Sequence, residues 1–368
     1  MKNGESKTGD EMRDKLIEYF QILAAIDSPS GKERELADKL AVVLRGLGFS
    51  LRRDSLGSII AARGQGEPLL LCCHMDTVES TAGLELKIEG DYIRSDGSTI
   101  LGADDKAGIA IILATLENMD CPPALELVFS VQEEKGMEGT KAFKPGDLRA
   151  KWGLVLDAGE PVGAVINQAP GETEMEIVIH GRGAHAAANP EEGIDAIRLA
   201  ASFIDRLPPH RIEEGSTYNL GVIQGGKATN TICPRVQMLG EVRSFEDSQR
   251  VRIAAELESL LQHALEGSGG SYDFHCRDSY SGYLVNADHG LIDLLKSTAA
   301  PLGIQVDVHS RFAGSDANIL NGLGLAVVNL GLGVEGNHSF DERVSISAMG
   351  KMAAWLHTIL KEWCHERA

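Results

Sequence analysis

Positive charge is scarce in this chain of 368 residues: 35 Lys and Arg stand against 54 Asp and Glu, for a formal net charge of -19. Nucleic acid and anionic membranes would repel such a surface at long range, so neither is expected as a partner. Long apolar runs are lacking as well, and none approaches the roughly 20 residues that span a bilayer. The first residues are polar and have no charged start followed by an apolar core, so no secretory signal is expected. The six cysteines, Cys72, Cys73, Cys121, Cys233, Cys276 and Cys364, form no CxxC pair and no even framework, which fits a reduced, cytoplasmic protein. HExxH, GxSxG and GxxxxGK(S/T) are all missing, and with them the thermolysin-like, serine-hydrolase and P-loop chemistries. A GxGxxG match does occur at 331–336. Asn-His-Ser-Phe follows it where a helix should start, and no acid stands at the distance of a ribose contact, so no nucleotide is expected there.

The hydrophobic content of 43% and charged content of 24% are ordinary for a soluble globular enzyme. The length exceeds the ~250 to 300 residues at which one core stops growing, so two domains are expected. Apolar runs that read as buried parallel strands end at Cys73, Val131, Leu156 and Leu330, with a weaker one at 100–103. Helical periodicity covers 11–25, and Ser30 with Glu33 gives a capping-box signal for a second helix to about Leu47. Helices at 105–118, 288–301 and 347–364 complete a βαβ alternation, which implies an α/β domain with a mixed, largely parallel sheet and helices on both faces. From Gly171 the texture changes to half-exposed strands in a β-α-β-β-α-β order, as in a ferredoxin-like α+β insert with one open sheet face. The expected division is a discontinuous catalytic domain, 1–170 with 284–368, around an inserted lid or dimerisation domain at 171–283.

Residues of metal-ligand type stand at these strand ends. His74 and Asp76 share one side of an extended chain, and a carboxylate such as Asp76 suits the fixing of a metal-bound imidazole. Asp104 and Asp105 precede an apolar helix; one acid there is an ordinary N-cap, whereas two exceed what a cap requires. Glu133 and Glu134 leave a strand together, so one can bind metal while the other addresses water. Asp157 closes a strand too apolar to be exposed, and His338 lies in a Gly-rich loop after another buried strand. Ligands in open α/β sheets bind beyond the carboxyl ends of the strands, where these residues would converge. Two His and three carboxylates around two ions form a borderline donor set that suits zinc, with cobalt or manganese as substitutes. Such an ion pair lowers the pKa of water toward ~7 and polarises a carbonyl, so hydrolysis of an amide is the natural chemistry. Cys72 and Cys73 face opposite sides of their strand and are read as core.

His-Met-Asp-Thr at 74–77, Gly-Ala-Asp-Asp-Lys-Ala-Gly at 102–108, Glu-Glu at 133–134 and Gly-Ser-Asp-Ala-Asn at 314–318 resemble the motifs of the dinuclear zinc exopeptidase family that contains peptidase T, the aminoacylases and succinyl-diaminopimelate desuccinylase. The peptidase T-like branch is the best match, over essentially the whole chain. The resemblance implies two Zn2+ held by His74 and Asp157 on one side and by Glu134 and His338 on the other. Asp104 would bridge them, Asp76 would orient His74, and Glu133 would be the general base. It also implies a cis peptide after Asp104, a lid His185 that reaches the partner subunit's site to stabilise the oxyanion, and substrate contacts from Asn230, Arg243, Gly314 and Ser315. Asp341 and Glu342 suit either contact with a free amino terminus or a solvated acidic turn, and the turn is favoured. The expected activity is aminopeptidase or tripeptidase action on short peptides by a homodimer joined through the lid. The alternatives are an N-acyl amino acid deacylase or carboxypeptidase and, against the intact Glu133, a non-catalytic metal-binding protein.

Overall fold

The structure is a computed structural model that describes residues 3–119 and 123–367, so Cys121 lies outside the described residues. It divides into two compact units, one of Met1–Gln168, Leu284–Arg311 and Ser315–Ala368, the other of Ala169–Tyr283 with Phe312–Gly314. The segment 312–314 packs with the second unit through an edge contact between Phe312 and Phe245 and a close approach of Gly314 to Tyr280.

Four parallel strands form the centre of the first unit, in the order Leu125–Ser130, Leu69–His74, Trp152–Ala158 and Ala326–Gly331. Their near-continuous apolar sequences suit strands covered on both faces, and Leu69 to Cys73 are fully buried. Antiparallel Ile59–Arg63 and Ser50–Arg53 extend one side, and Ala164–Ala169 extends the other. The two adjacent cysteines mark the two faces. Cys73 meets the helix Ala103–Glu117 at Gly108, while Cys72 Sγ lies 3.8 Å from Asp316 at the start of Asp316–Gly322. Ala103–Glu117 is apolar all round and buried, as a helix sandwiched between layers must be; Asn3–Ala24 and Ile346–Arg367 pack on it.

The second unit is an antiparallel sheet in the order Arg211–Glu213, Ser216–Gly225, Arg235–Ser244, Gly171–His180 and Ser271–Tyr280. One face packs Met175, Ile177, Ile179, Val236, Met238 and Val242 against the helices Ala196–Ile204 and Asp247–Leu265. The other carries the alternate, polar residues.

Several sequence expectations need correction. Residues 100–102 are not a strand: Gly102 takes a left-handed φ of 71° and the helix begins at Ala103. The second helix starts at Arg34 with no side-chain cap, so Ser30 and Glu33 are not its capping box. A hairpin, Leu86–Glu89 with Tyr92–Ser95, was not anticipated; its strands are only four residues each and mostly exposed, which leaves little pattern to read. Among the described residues no helix is long and apolar enough to cross a membrane.

Gly108 is where the central helix comes closest to the sheet, since a Cβ there would collide with the Leu156 carbonyl and the Asp105 carboxylate. Gly108→Ala should therefore destabilise the metal-free protein by about 1–3 kcal/mol, despite alanine's better helix propensity. Urea denaturation monitored by circular dichroism checks this; unchanged stability would show that the helix can move away from the sheet.

Candidate metal centre

Each of the four parallel strands feeds a loop that bears candidate ligands. His74 ends its strand with Nδ1 2.8 Å from the carbonyl oxygen of Asp76. A carbonyl only accepts, so Nδ1 carries a proton and Nε2 is the ligand atom. Nε2 lies 3.1 Å from Asp104 Oδ1 and 3.6 Å from Asp157 Oδ1. Asp76 was expected to orient His74; its contact with the ring is made by the main-chain carbonyl. Its carboxylate is 3.6 Å from Nδ1 and serves elsewhere: Oδ1 accepts the amide of Glu133 at 2.9 Å, and Oδ2 accepts the amide of Glu134 at 3.2 Å and the Ser30 hydroxyl at 2.6 Å.

Asp104 presents one oxygen to each side. Oδ1 faces His74, while Oδ2 is 3.4 Å from His338 Nε2 and accepts Asn337 Nδ2 at 2.8 Å. The Asp104–Asp105 peptide bond is cis, as the resemblance implied. Glu342, favoured above as part of a solvated turn, is 1% exposed; its oxygens accept the amides of Gly102 at 2.7 Å and Asp104 at 3.0 Å. Asp341 is exposed. Asp105 turns away from the cluster and accepts the amide of His74 at 3.2 Å. Glu133 and Glu134 leave the strand Leu125–Ser130 through Gln132, whose φ of 54° is left-handed, and Glu134 Oε1 lies 2.8 Å from His338 Nε2. Asp157 exchanges hydrogen bonds with the side chain of Asn329, a polar residue in an otherwise apolar strand.

These side chains make three sets whose ligand atoms lie within 4.8 Å of one another: His74, Asp104 and Asp157; His74, Glu133 and Glu134; Asp104, Glu134 and His338. Cysteine appears in none of them among the described residues, and both Cys72 and Cys73 are buried. The electrostatics of the cluster favour a positive charge. Burial alone would lower the His74 pKa, but the carboxylates of Asp104, Asp157 and Asp76 outweigh it and hold the imidazole well above its ordinary range. His338, bonded to Asp104 and Glu134, is pushed up to about 10. Burial raises Glu133, and the facing carboxylates of Asp157, Asp316 and Glu134 add to the rise. Imidazole and carboxylate donors around a shared carboxylate fit a pair of borderline divalent ions.

Four of the remaining expected site residues lie in the second unit. His185 is exposed, and its Nδ1 accepts the amides of Ala187 and Ala188 at 3.2 and 3.1 Å, so in the neutral ring Nε2 is the free donor. Asn230 is exposed, with its carbonyl on the amide of Ala186. Arg243 grips Glu241 with two nitrogens at 2.9 and 3.0 Å and Glu172 at 2.8 Å; a substrate carboxylate would compete with both acids. Gly314 is pressed on Tyr280, with no room for a Cβ. Ser315, in the first unit, is committed to its own helix: its hydroxyl accepts the Ala317 amide and its amide donates to Asn318.

The fold and the cluster together define a metal-dependent hydrolase. The model of the M20 peptidase dimerisation domain matches residues 168–268. The chain is 32% identical over 367 residues to the uncharacterized protein YqjE of Bacillus subtilis, covering 95% of this chain and 98% of that one. It superimposes on aminopeptidase PepT of Bacillus cereus with a TM-score of 0.87 at 30% identity, over 95% and 98% of the two chains. A tripeptidase of Staphylococcus aureus gives a TM-score of 0.91 at 29% identity, over 96% and 99%. The chain belongs to the M20 peptidase family and to its peptidase T-like group.

The raised pKa values of His74 and His338 carry a signed consequence. At pH 8 the His338 ring holds a proton in the metal-free protein, because its pKa of about 10 lies above that pH, and a cation bound there must displace that proton; the upward shift of His74 acts in the same direction. Metal titration in weak buffer at pH 8 should therefore release protons, and apparent affinity should rise as the pH climbs toward 10. Affinity that stays flat between pH 7 and 9 would refute the assignment of the imidazoles as ligands.

Proposed function

We propose that the protein is a cytoplasmic aminopeptidase of the tripeptidase kind, which removes a residue from the free amino end of short peptides with two zinc ions and works as a homodimer through its second unit. The observation that carries the reading is the way Asp104 directs one oxygen to His74 and the other to His338, as a carboxylate shared between two cations must. His74 and Asp157 would complete one position, and Glu134 and His338 the other; cobalt or manganese would substitute.

The ion pair, when bound, supplies Lewis acidity to the scissile carbonyl and brings the pKa of the attacking water toward ~7. Glu133 takes a proton from that water as its oxygen adds to the carbonyl carbon. It passes the proton to the departing amine as the C–N bond breaks. From the second unit, the resemblance contributes the His185 Nε2–H as an oxyanion donor and Asn230, Arg243 and Gly314 as substrate contacts; Ser315 would act beside them. The pairing of Arg243 with Glu241 and Glu172 favours the aminopeptidase over a deacylase or carboxypeptidase, which depends on capturing a free carboxylate.

The test is a matched set of substrates given to zinc-loaded protein: a tripeptide, its N-acetylated form and its C-terminal amide. Cleavage of the tripeptide and the amide, lost on chelation and absent for the acetylated form, is the expected result. Cleavage of the acetylated peptide that needs a free carboxylate would move the protein to the deacylase or carboxypeptidase branch. Glu133→Gln should lower kcat by roughly 10²- to 10⁴-fold with zinc content unchanged. Loss of zinc instead would make Glu133 a ligand rather than the base.

A further inference from the structure

Residues 28–33, Ser-Pro-Ser-Gly-Lys-Glu, supply no member of the metal-ligand sets, yet they join the two loops that carry the cluster. Toward His74, Ser28 Oγ donates to the Met75 carbonyl at 2.9 Å, and Ser28 O accepts the Thr77 amide at 3.0 Å. The Ser30 amide donates to the Thr77 carbonyl at 3.2 Å, and the Ser30 hydroxyl donates to Asp76 Oδ2 at 2.6 Å. Toward Glu133, the carboxylate of Glu33 accepts the amide of Gln132 at 3.0 Å and that of Gly31 at 2.7 Å, and Lys135 Nζ reaches the Ser30 carbonyl at 3.1 Å. Glu33 is 4% exposed.

The place at which Glu33 acts gives the contact its meaning. Gln132 is a non-glycine residue in the left-handed region, with φ 54°, a conformation that persists only where the surroundings hold it. It is also the residue that turns the chain off the strand Leu125–Ser130, so that Glu133 and Glu134 point into the cluster. The Glu33 carboxylate receives the amide of that residue, while Ser30 steadies the Asp76 carboxylate that receives the next two amides. We infer that residues 28–33 are a strap that sets the Glu133–Glu134 turn against the His74–Asp76 strand end, with Glu33 and Ser30 as positioning residues for the ligand Glu134 and the base Glu133. For the base, the inference rests on the proposed peptidase reading; for the ligand it stands apart from it.

Through Glu33, whose contacts are the amides of Gly31 and Gln132, the strap bears on one ion position more than on the other. Glu134 belongs to the set with Asp104 and His338 and, with Glu133, to one with His74, whereas the set of His74, Asp104 and Asp157 does not use the turn. Residues that support ligands from outside the coordination shell commonly alter affinity or activity 10- to 100-fold. Calorimetric titration of chelator-stripped full-length protein with Zn2+ should resolve two steps, and His338→Ala identifies the one that depends on Glu134. Glu33→Ala should weaken that step about 10- to 100-fold and leave the other within about twofold. Glu33→Gln, which keeps an acceptor oxygen, should restore it. Ser30→Ala should move the same step in the same direction by a smaller factor, and it provides the comparison if Glu33→Ala does not fold. With zinc at saturating concentration, kcat should fall in Glu33→Ala while KM stays constant.

Equal weakening of both steps, or no weakening in a folded variant, overturns the strap and leaves Glu33 as a general support of the fold. Because the metal steps need no turnover, the two readings separate. A wild-type protein inactive on peptides whose variants still lose one step selectively would refute the peptidase function alone, while an active one whose steps do not move would refute the strap alone.

Discussion

Negative charge packed against negative charge is the constraint on which the first unit rests. Asp104, Glu133, Glu134 and Asp157 bring carboxylate oxygens within 4.8 Å of shared partners, and Asp105 and Asp316 lie buried beside them. At an effective dielectric constant of ~20, two like charges 4 Å apart repel by about 4 kcal/mol. Three or four such pairs would consume the ~5 to 15 kcal/mol by which a typical fold is stable. The cluster is tenable only if something positive enters it. In the metal-free protein the positive charge is protons, which is why His74, His338 and Glu133 are all shifted toward holding one. Divalent cations do the same with less charge left over.

The acids around the centre fall into two groups by what they face. Asp104, Asp157 and Glu134 face the imidazoles. Asp76, Asp105, Glu33 and Glu342 instead face main-chain amides, those of Glu133 and Glu134, His74, Gln132, and Gly102 with Asp104 respectively. Amides are apt for this purpose. They satisfy a buried carboxylate and fix a loop at its backbone, and they carry no full positive charge that would oppose a cation a few ångströms away. An arginine in the same place would hold the loop and weaken the site. Lys106, the fully buried cation below Gly102, follows the same logic in part: it donates to the Ile26 carbonyl, and burial brings its pKa down to about 8, with Asp27 and Glu342 acting against the fall.

The sequence discloses the residues whose ligand-type atoms meet in the cluster more readily than those that hold them in place. His74, Glu134 and Asp157 are legible because each stands at or just past the end of an apolar run, Asp104 because two acids exceed what a helix cap requires, and His338 because it lies in the loop after such a run; runs of uniform hydrophobicity survive in a single sequence. Glu33, Ser30 and Glu342 are not: Glu33 and Glu342 accept backbone amides 99 and up to 240 residues away, Ser30 donates to a carboxylate 46 residues away, and no local pattern announces such partners. Local rules even mislead: Ser30 and Glu33 have the spacing of a capping box, and Glu342 that of an acidic turn. Asn329 had a visible signal, a polar side chain within a strand otherwise apolar, and Asn337 stands next to His338. In both, the cue is a residue out of keeping with its neighbours.

The second unit handles its charges differently, and the contrast bears on what its open face can do. Arg277 pairs with Glu174, Gln237 with Glu176, His180 with Asp273, and Arg243 with Glu172 and Glu241, so polar side chains on this face are bonded to one another, mostly across neighbouring strands. A face that is already paired needs no cover, and covering it would strip water from every one of those ions. Exposed apolar side chains lie at Val222 and Ile223 on Ser216–Gly225 and at Leu239 on the central strand, and the outer edge of Ser216–Gly225 is paired with Arg211–Glu213 only at its first two residues. Unpaired strand edges and adjoining apolar side chains are what another chain can use.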